Sequence, residues 1–178
     1  MRGYTALLSD RTAMPALAMP LTCSDPAAVA AHVMGLPKRV ATVFVIGLEC
    51  TDSIAVQAET AGAGPFVVAE FDVVCAALAA AAASVLRTRG SLRGRGRVAV
   101  SGADSAPPLE AVLCGAGARA VTTFSLRDVS MLPLRALMSG HDVLIDFTGT
   151  VSHVAAPDRV LSVPIDLFDS ASLVLPAF

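Results

Sequence analysis

The chain has no tryptophan, one tyrosine and little charge: Asp, Glu, Lys and Arg together make up 16% of its 178 residues. Charge this sparse excludes a highly charged disordered chain and leaves much apolar surface to hide. Net charge is −2 with neither sign in excess, which argues against nucleic-acid and polyanion binding. The four cysteines, Cys23, Cys50, Cys75 and Cys114, form no CxxC pair. A disulfide framework or structural zinc site is therefore not expected, and a reducing cytoplasm fits. The longest apolar run, Val73 to Leu86, is shorter than the roughly 18–20 residues a bilayer span needs, so it reads as a buried helix and no membrane role is expected. The opening "MRGYTALLSD" lacks the apolar core of a signal peptide.

What is present is hydrophobic. Apolar residues make up 54% of the chain, enough for one well-packed domain over 1–178. A greasy, sparsely charged surface also suits a homo-oligomer, here a dimer.

Short β-branched runs alternate with helix-like segments. Strands are expected at "ALAMPL" (16–21), "VATVFVIGL" (40–48), "FVVA" (66–69), "RVAVSG" (97–102), "ARAVTTFS" (118–125) and "HDVLIDFTG" (141–149). Two weaker ones are expected at "RVLSVPI" and "SLVLPAF". Helices are expected from Ser24-Asp25-Pro26 to about Met34, near 52–60, through the alanine run to about Thr88, over "PPLEAVLCGAG", and over "MLPLRALMSG" (131–140). This alternation implies an α/β fold, Rossmann-like and doubly wound, with a mainly parallel sheet flanked by helices. The stretch "RTRGSLRGRGR" (87–97) carries five arginines and reads as a solvated connector between half-sheets rather than a phosphate-binding loop.

Glu49 closes an apolar strand at its carboxyl end, where open α/β sheets bind ligands. It is a candidate metal ligand or general acid/base, or else a cap of the next helix, for which Asp52 is an equally good candidate. Glu70 and Asp72 flank Phe71 at the start of the alanine helix, where the macrodipole alone favours acids. Two carboxylates meeting at one crevice can hold Mg²⁺ or Mn²⁺, or share a proton and do acid/base work. Asp146 interrupts an apolar strand and lies either at a pocket mouth or on backbone donors. Tyr4 is a proton donor or a packing residue, and His153 a base or a satisfied loop histidine. His32 and His141 read as helix-surface and turn residues. Cys50, beside Glu49, is a poor nucleophile, because a neighbouring carboxylate raises its pKa.

In this order the segments resemble the bacterial malic enzymes without that family's front portion. "MRGYTALL" (1–8) is similar to its MEGKAVLF, "LTCSDPAAV" (21–29) to its strand and helix around D-P, and "LEC" (48–50) to its metal-site L-E-D. "PFVVAEFDVVC" (65–75) is similar to P-V-F-H-D-D-Q-H-G-T-A, "GADSAP" (102–107) to the dinucleotide turn G-A-G-A-A-G, and "GHDVLIDFT" (140–148) to G-A-D-V-F-I-G-V-S. That family oxidises malate with NAD or NADP and decarboxylates the metal-bound oxaloacetate. The resemblance puts the general-base lysine at Tyr4, the metal acids at Glu49, Cys50 and Glu70, a substrate asparagine near Val163, and the ribose-binding acid at Ser125. Residues 1–90 would be the catalytic and metal-site half, and 91–178 a degenerate dinucleotide-binding half.

The dinucleotide turn departs from its pattern. Glycines there let the backbone approach the pyrophosphate and let helix pack on strand. Asp104 instead brings a carboxylate, and Pro107 removes an N–H donor. The resemblance then implies that NAD(P) binding and redox activity are lost, with no cofactor beyond Mg or Mn. What remains is non-redox acid/base chemistry on a small carbonyl or carboxylate compound: enolisation, decarboxylation, elimination or cyclisation, in specialised biosynthesis. Glu49, Glu70, Asp72, Asp146 and Tyr4 would carry it. One alternative is a non-catalytic scaffold that kept the fold. Another is a residual NAD(P)-dependent oxidoreductase whose arginine-rich loop neutralises phosphates.

Overall fold

A computed structural model describes residues 5, 15–23, 25–91, 94–149 and 159–163. The chain divides into two compact units, 1–43 with 52–67, and 44–51 with 68–178.

In the first unit, helix α1 (Pro26–Met34) begins where Asp25 accepts the Ala28 N–H at 2.9 Å and Pro26 supplies a preset φ. It buries Val29, Ala30 and Val33. Strands β1 (Thr42–Val45) and β2 (Phe66–Ala69), whose residues are divided between the two units, form a two-stranded sheet, and the Phe66 N–H donates to the Ala41 carbonyl at 2.9 Å. Helix α2 (Cys50–Thr60) buries Ser53, Val56 and Thr60, and the Thr60 hydroxyl returns to the Val56 carbonyl. The strand expected at 16–21 does not form. Pro20 has no N–H to give a ladder, and Leu17, Met19 and Leu21 lie exposed, so the alternation finds no core.

The second unit is built on a four-stranded, all-parallel sheet in the order β4-β3-β5-β6. The strands are β3 (Arg97–Ser101), β4 (Ala120–Phe124), β5 (Val143–Asp146) and β6 (Val160–Ser162). The chain builds outward from β3 to β4, then returns to the other side of β3 for β5. That reversal makes the protein a doubly wound, Rossmann-like α/β fold with a switch point between β3 and β5. Helix α3 (Glu70–Thr88) presents Phe71, Cys75, Ala79, Ala82 and Leu86, spaced by three and four residues, to Val98, Val100, Val143 and Ile145. Leu109 and Leu113 of α4 (Leu109–Gly115) join that core. On the other face Ala99 and Leu144 are covered by Phe124, Met138 and Val160. Burial on both sides explains why the strands are near-continuous apolar runs.

By length and composition, α3 is apolar enough to cross a membrane, with 19 residues and mean hydropathy 1.6. One stripe of it lies in the core just described. The helix ends at Thr88, as its sequence implies. Leu86 packs so closely on Gly96, just before β3, that a Cβ there would lie 2.7 Å from its methyl groups. The carboxyl end of α3 is thus at the amino edge of the sheet. A 19-residue helix is about 28 Å long, so its first turn reaches the opposite edge, where Phe71 shares a core with Phe147 and Val163.

The single helix expected over 131–140 is broken. Helix α5 (Leu126–Met131) stops, Leu132 is extended (φ −109, ψ 131), and α6 (Leu134–Met138) begins after Pro133. A residue before proline is pushed out of the helical region, which places the break. The segment "SLVLPAF" lies outside the described residues.

Candidate functional site

The carboxyl edge of the parallel sheet carries one cluster of polar side chains. Register puts Phe124, Ser101, Asp146 and Ser162 in one row across the four strand ends. At the switch point Ser101 and Asp146 are both fully buried, and the serine hydroxyl donates to Asp146 Oδ1 at 2.5 Å. The same oxygen accepts the Thr148 N–H at 3.0 Å and the Thr148 hydroxyl at 2.5 Å. A carboxylate buried among donors of this kind is satisfied rather than stranded. Asp146 therefore lies on its own backbone and hydroxyl donors.

The turn after β3 is filled by the chain itself. Gly102 adopts φ +73, and its N–H donates to the Phe124 carbonyl at 2.9 Å. A Cβ there would meet Phe147 Cβ at 3.2 Å and Thr148 Cγ2 at 3.3 Å, so glycine is required twice over. A 3₁₀ turn, Ala103–Ser105, then intervenes before α4. The Asp104 carboxylate accepts the Leu126 N–H at 3.3 Å, at the opening of α5. Pro107 and Pro108 carry no N–H, and the Leu109 N–H is taken by the Ala106 carbonyl at 3.0 Å. A pyrophosphate needs free N–H groups at a helix start and room to approach them. The residues here do not fit that group. Ser125, at the ribose-acid position of the resemblance, caps α5 and exchanges hydrogen bonds with Asp128.

Glu49, Glu70 and Asp72 lie in the second unit at the ends of β1 and β2. Gly47, with φ +82, directs its N–H onto Glu70 Oε2 at 3.0 Å, tying the loop after β1 to the first residue of α3. Asp72 accepts the Ala69 N–H at 2.8 Å and closes the first turn of its own helix. Glu49 is exposed just before α2. Cys50, half-buried, has its thiol pKa raised by burial and then by the Asp72 and Glu49 carboxylates. Burial, Asp72 and Cys50 push the Cys75 thiol up to about 12. Both sulfurs are thus held as thiols, donors rather than nucleophiles.

Tyr4 and His153 lie outside the described residues. His32 is exposed on α1. His141 sits edge-on to Phe124 with centroids 6.4 Å apart, its Nε2 2.9 Å from the Thr122 hydroxyl, and its Nδ1 buried without a partner among the described residues. Among those residues no three His, Cys, Asp or Glu side chains gather into one cluster. A surface depression of about 410 Å³ in the first unit, between Gln57, Thr60, Phe66 and Val67, has no ionisable side chain in its lining.

Sequence reasoning missed Ser101 and Thr148 as the partners of Asp146, and Gly47 as the partner of Glu70. The glycine had a signal, since it interrupts an apolar strand directly before "LEC". The hydroxyl partners had none, because they meet only through the β3–β5 register. No family model, curated protein or solved structure matches the chain.

Proposed function

We propose that the protein carries out non-redox acid/base chemistry on a small carbonyl or carboxylate compound at the ends of β1 and β2, as a divergent relative of the malic enzymes. The observation that carries this reading is the Gly47–Glu70 hydrogen bond. It fixes one carboxylate between two strand-end loops and leaves Glu49 exposed nearby in sequence, beside a thiol held protonated. In the simplest step Glu49 takes a proton from the carbon next to the substrate carbonyl. The C–H pair becomes the enolate double bond, and the proton returns to carbon or passes to water. Glu70 orients the loop, and the Cys50 S–H is a weak donor to the enolate oxygen.

No hydride step belongs to this reading, because Asp104, Pro107 and Pro108 occupy the turn a nucleotide would need. The proton-transfer step does not require a metal; Mg²⁺ or Mn²⁺, which one or two carboxylates can hold, would polarise the substrate carbonyl if bound at Glu49 and Glu70. Four free thiols are in keeping with a cytoplasmic site.

The test is loss of the Cα–H signals of oxaloacetate, pyruvate and acetoacetate in D₂O, followed by proton NMR. The native chain should exceed buffer, and Glu49→Gln should fall by about 10²-fold or more. No acceleration with any of the three, or an unaffected Glu49→Gln, would contradict it. One observation favours a second reading, a non-catalytic scaffold: Glu70, Asp72, Asp104 and Asp146 each accept a main-chain N–H. Under that reading Glu70→Gln changes stability alone.

A further inference from the structure

The arginine-rich stretch has no part in the acid/base reading, and it sits at the opposite edge of the sheet. In a parallel sheet all strands start on one edge. Here Arg119 precedes β4, with its N–H on the Gly96 carbonyl at 2.8 Å. Arg97 opens β3, and Arg159 precedes β6, with its carbonyl accepting the Leu144 N–H at 2.8 Å. Arg95 stands two residues before Arg97, and Arg87 lies at the carboxyl end of α3, which packs down to this same edge. Arg87, Arg95, Arg97 and Arg119 are exposed and Arg159 is half-buried. None of these five forms an ion pair among the described residues; Arg87 reaches only the Ser84 hydroxyl, at 3.5 Å.

The acids beside these strand starts are Asp142 and Asp158, and Asp158 lies outside the described residues. Asp142 is held in place by the Arg97 N–H at 2.9 Å and the Ser91 hydroxyl at 3.4 Å, and contributes one negative charge to the edge. Among the described residues this edge sets five guanidinium groups against the single carboxylate of Asp142, a local positive excess on a chain of net charge −2.

We infer that the amino edge of the sheet, along Arg119, Arg97 and Arg159, docks an acidic helix of a partner protein. Guanidinium forks suit carboxylates, and exposed ones retain their donors for a partner. The spacing also fits. Neighbouring strands lie about 4.8 Å apart, so β4 to β6 spans about 14 Å across three intervals. Carboxylates at i, i+3 or i+4, and i+7 to i+10 of a helix cover about 5 to 15 Å. A nucleic acid is disfavoured because no aromatic residue interrupts 87–97 to stack a base, and the chain as a whole is acidic. A membrane surface is disfavoured because 87–97 contains a single large apolar residue, Leu92, and so has no apolar face to insert.

The test uses the full chain and a fluorescein-labelled 18-residue helical peptide with Glu on one face, read by anisotropy at 50 mM salt. A scrambled peptide of the same composition, single-stranded dT20 and vesicles with 20% phosphatidylserine serve as competitors. Binding should favour the one-faced helix. It should weaken at least tenfold in Arg97→Gln/Arg119→Gln/Arg159→Gln, and fall steeply by 300 mM salt. The same triple variant should keep its far-UV circular dichroism and melting profile. A second pair, Arg97→Lys/Arg119→Lys, should retain charge and lose part of the affinity. No binding to the peptide, equal binding to its scramble, tighter binding to dT20 or vesicles, or an unaffected triple variant would each overturn the inference.

Discussion

Ser101 and Asp146 meet side chain to side chain across paired strand ends, hydroxyl to carboxylate at 2.5 Å, with no solvent access to either. Ser101→Ala removes one donor to a buried carboxylate and should destabilise by about 1.5–3 kcal/mol. Asp146→Ala removes the acceptor shared by Ser101 and Thr148, leaving the Ser101 hydroxyl with only the 3.5 Å approach to the Ile145 carbonyl, and should lower stability by about 2–4 kcal/mol. Urea unfolding of both variants and of their combination checks this. The double variant should fall well short of the sum, because the two act on one interaction.

Gly102→Ala should be poorly tolerated. Its φ of +73 and the 3.2 Å approach to Phe147 Cβ act together. The left-handed backbone alone accounts for about 1–2 kcal/mol, and the contact adds to it. Gly117, with φ +103 and nothing near its Cβ, is the control: alanine there should show the backbone penalty alone.

These two sites also show what could be read in advance. The parallel, doubly wound fold was legible because β3 and β5 are buried on both faces, so "VAV" (98–100) and "VLI" (143–145) read as apolar runs without alternation. The end of α3 at Thr88 and the start of α1 at Asp25-Pro26 were legible through local chemistry. The run at 16–21 misled because alternation states only that a strand can form, while pairing decides whether it does. At the candidate site, the sequence located Glu70, Asp72 and Asp146 at element ends. It left open what each one touches, since Gly47 and Ser101 lie 23 and 45 residues away from their acceptors.

The thiols give the chain a pH dependence. The folded Cys75 pKa, about 12, lies above the ordinary 9.0, and Cys50 is raised as well. Unfolded thiols release protons near 9 while the folded ones keep theirs, so the native state binds more protons above that pH. The stabilisation is complete below pH 9 and is lost as pH rises toward 12. The slope is at most about 1.4 kcal/mol per pH unit for each thiol. Urea midpoints between pH 8 and 10.5 should fall, and Cys75→Ala should flatten the decline. Iodoacetamide should reach the exposed Cys23 and Cys114 well before Cys75.

Asp128 offers the opposite sign. Hydrogen bonds from the Ser125 hydroxyl and N–H hold its carboxylate below the usual 3.8. Its contribution is present above pH 3.8 and is lost as pH falls through the lowered folded value. Carbon-detected NMR titration should place the Asp128 midpoint below that of an unpaired aspartate. Ser125→Ala should move it back up.

The corner between β3 and α4, where Asp104 holds the Leu126 N–H and two prolines stand in place of amide donors, does not suit a pyrophosphate. Titration calorimetry of NADH and NADPH into the full chain tests it most directly. No saturable heat is expected up to millimolar nucleotide; a micromolar dissociation constant that Asp104→Lys alters would mean that this corner does hold a pyrophosphate.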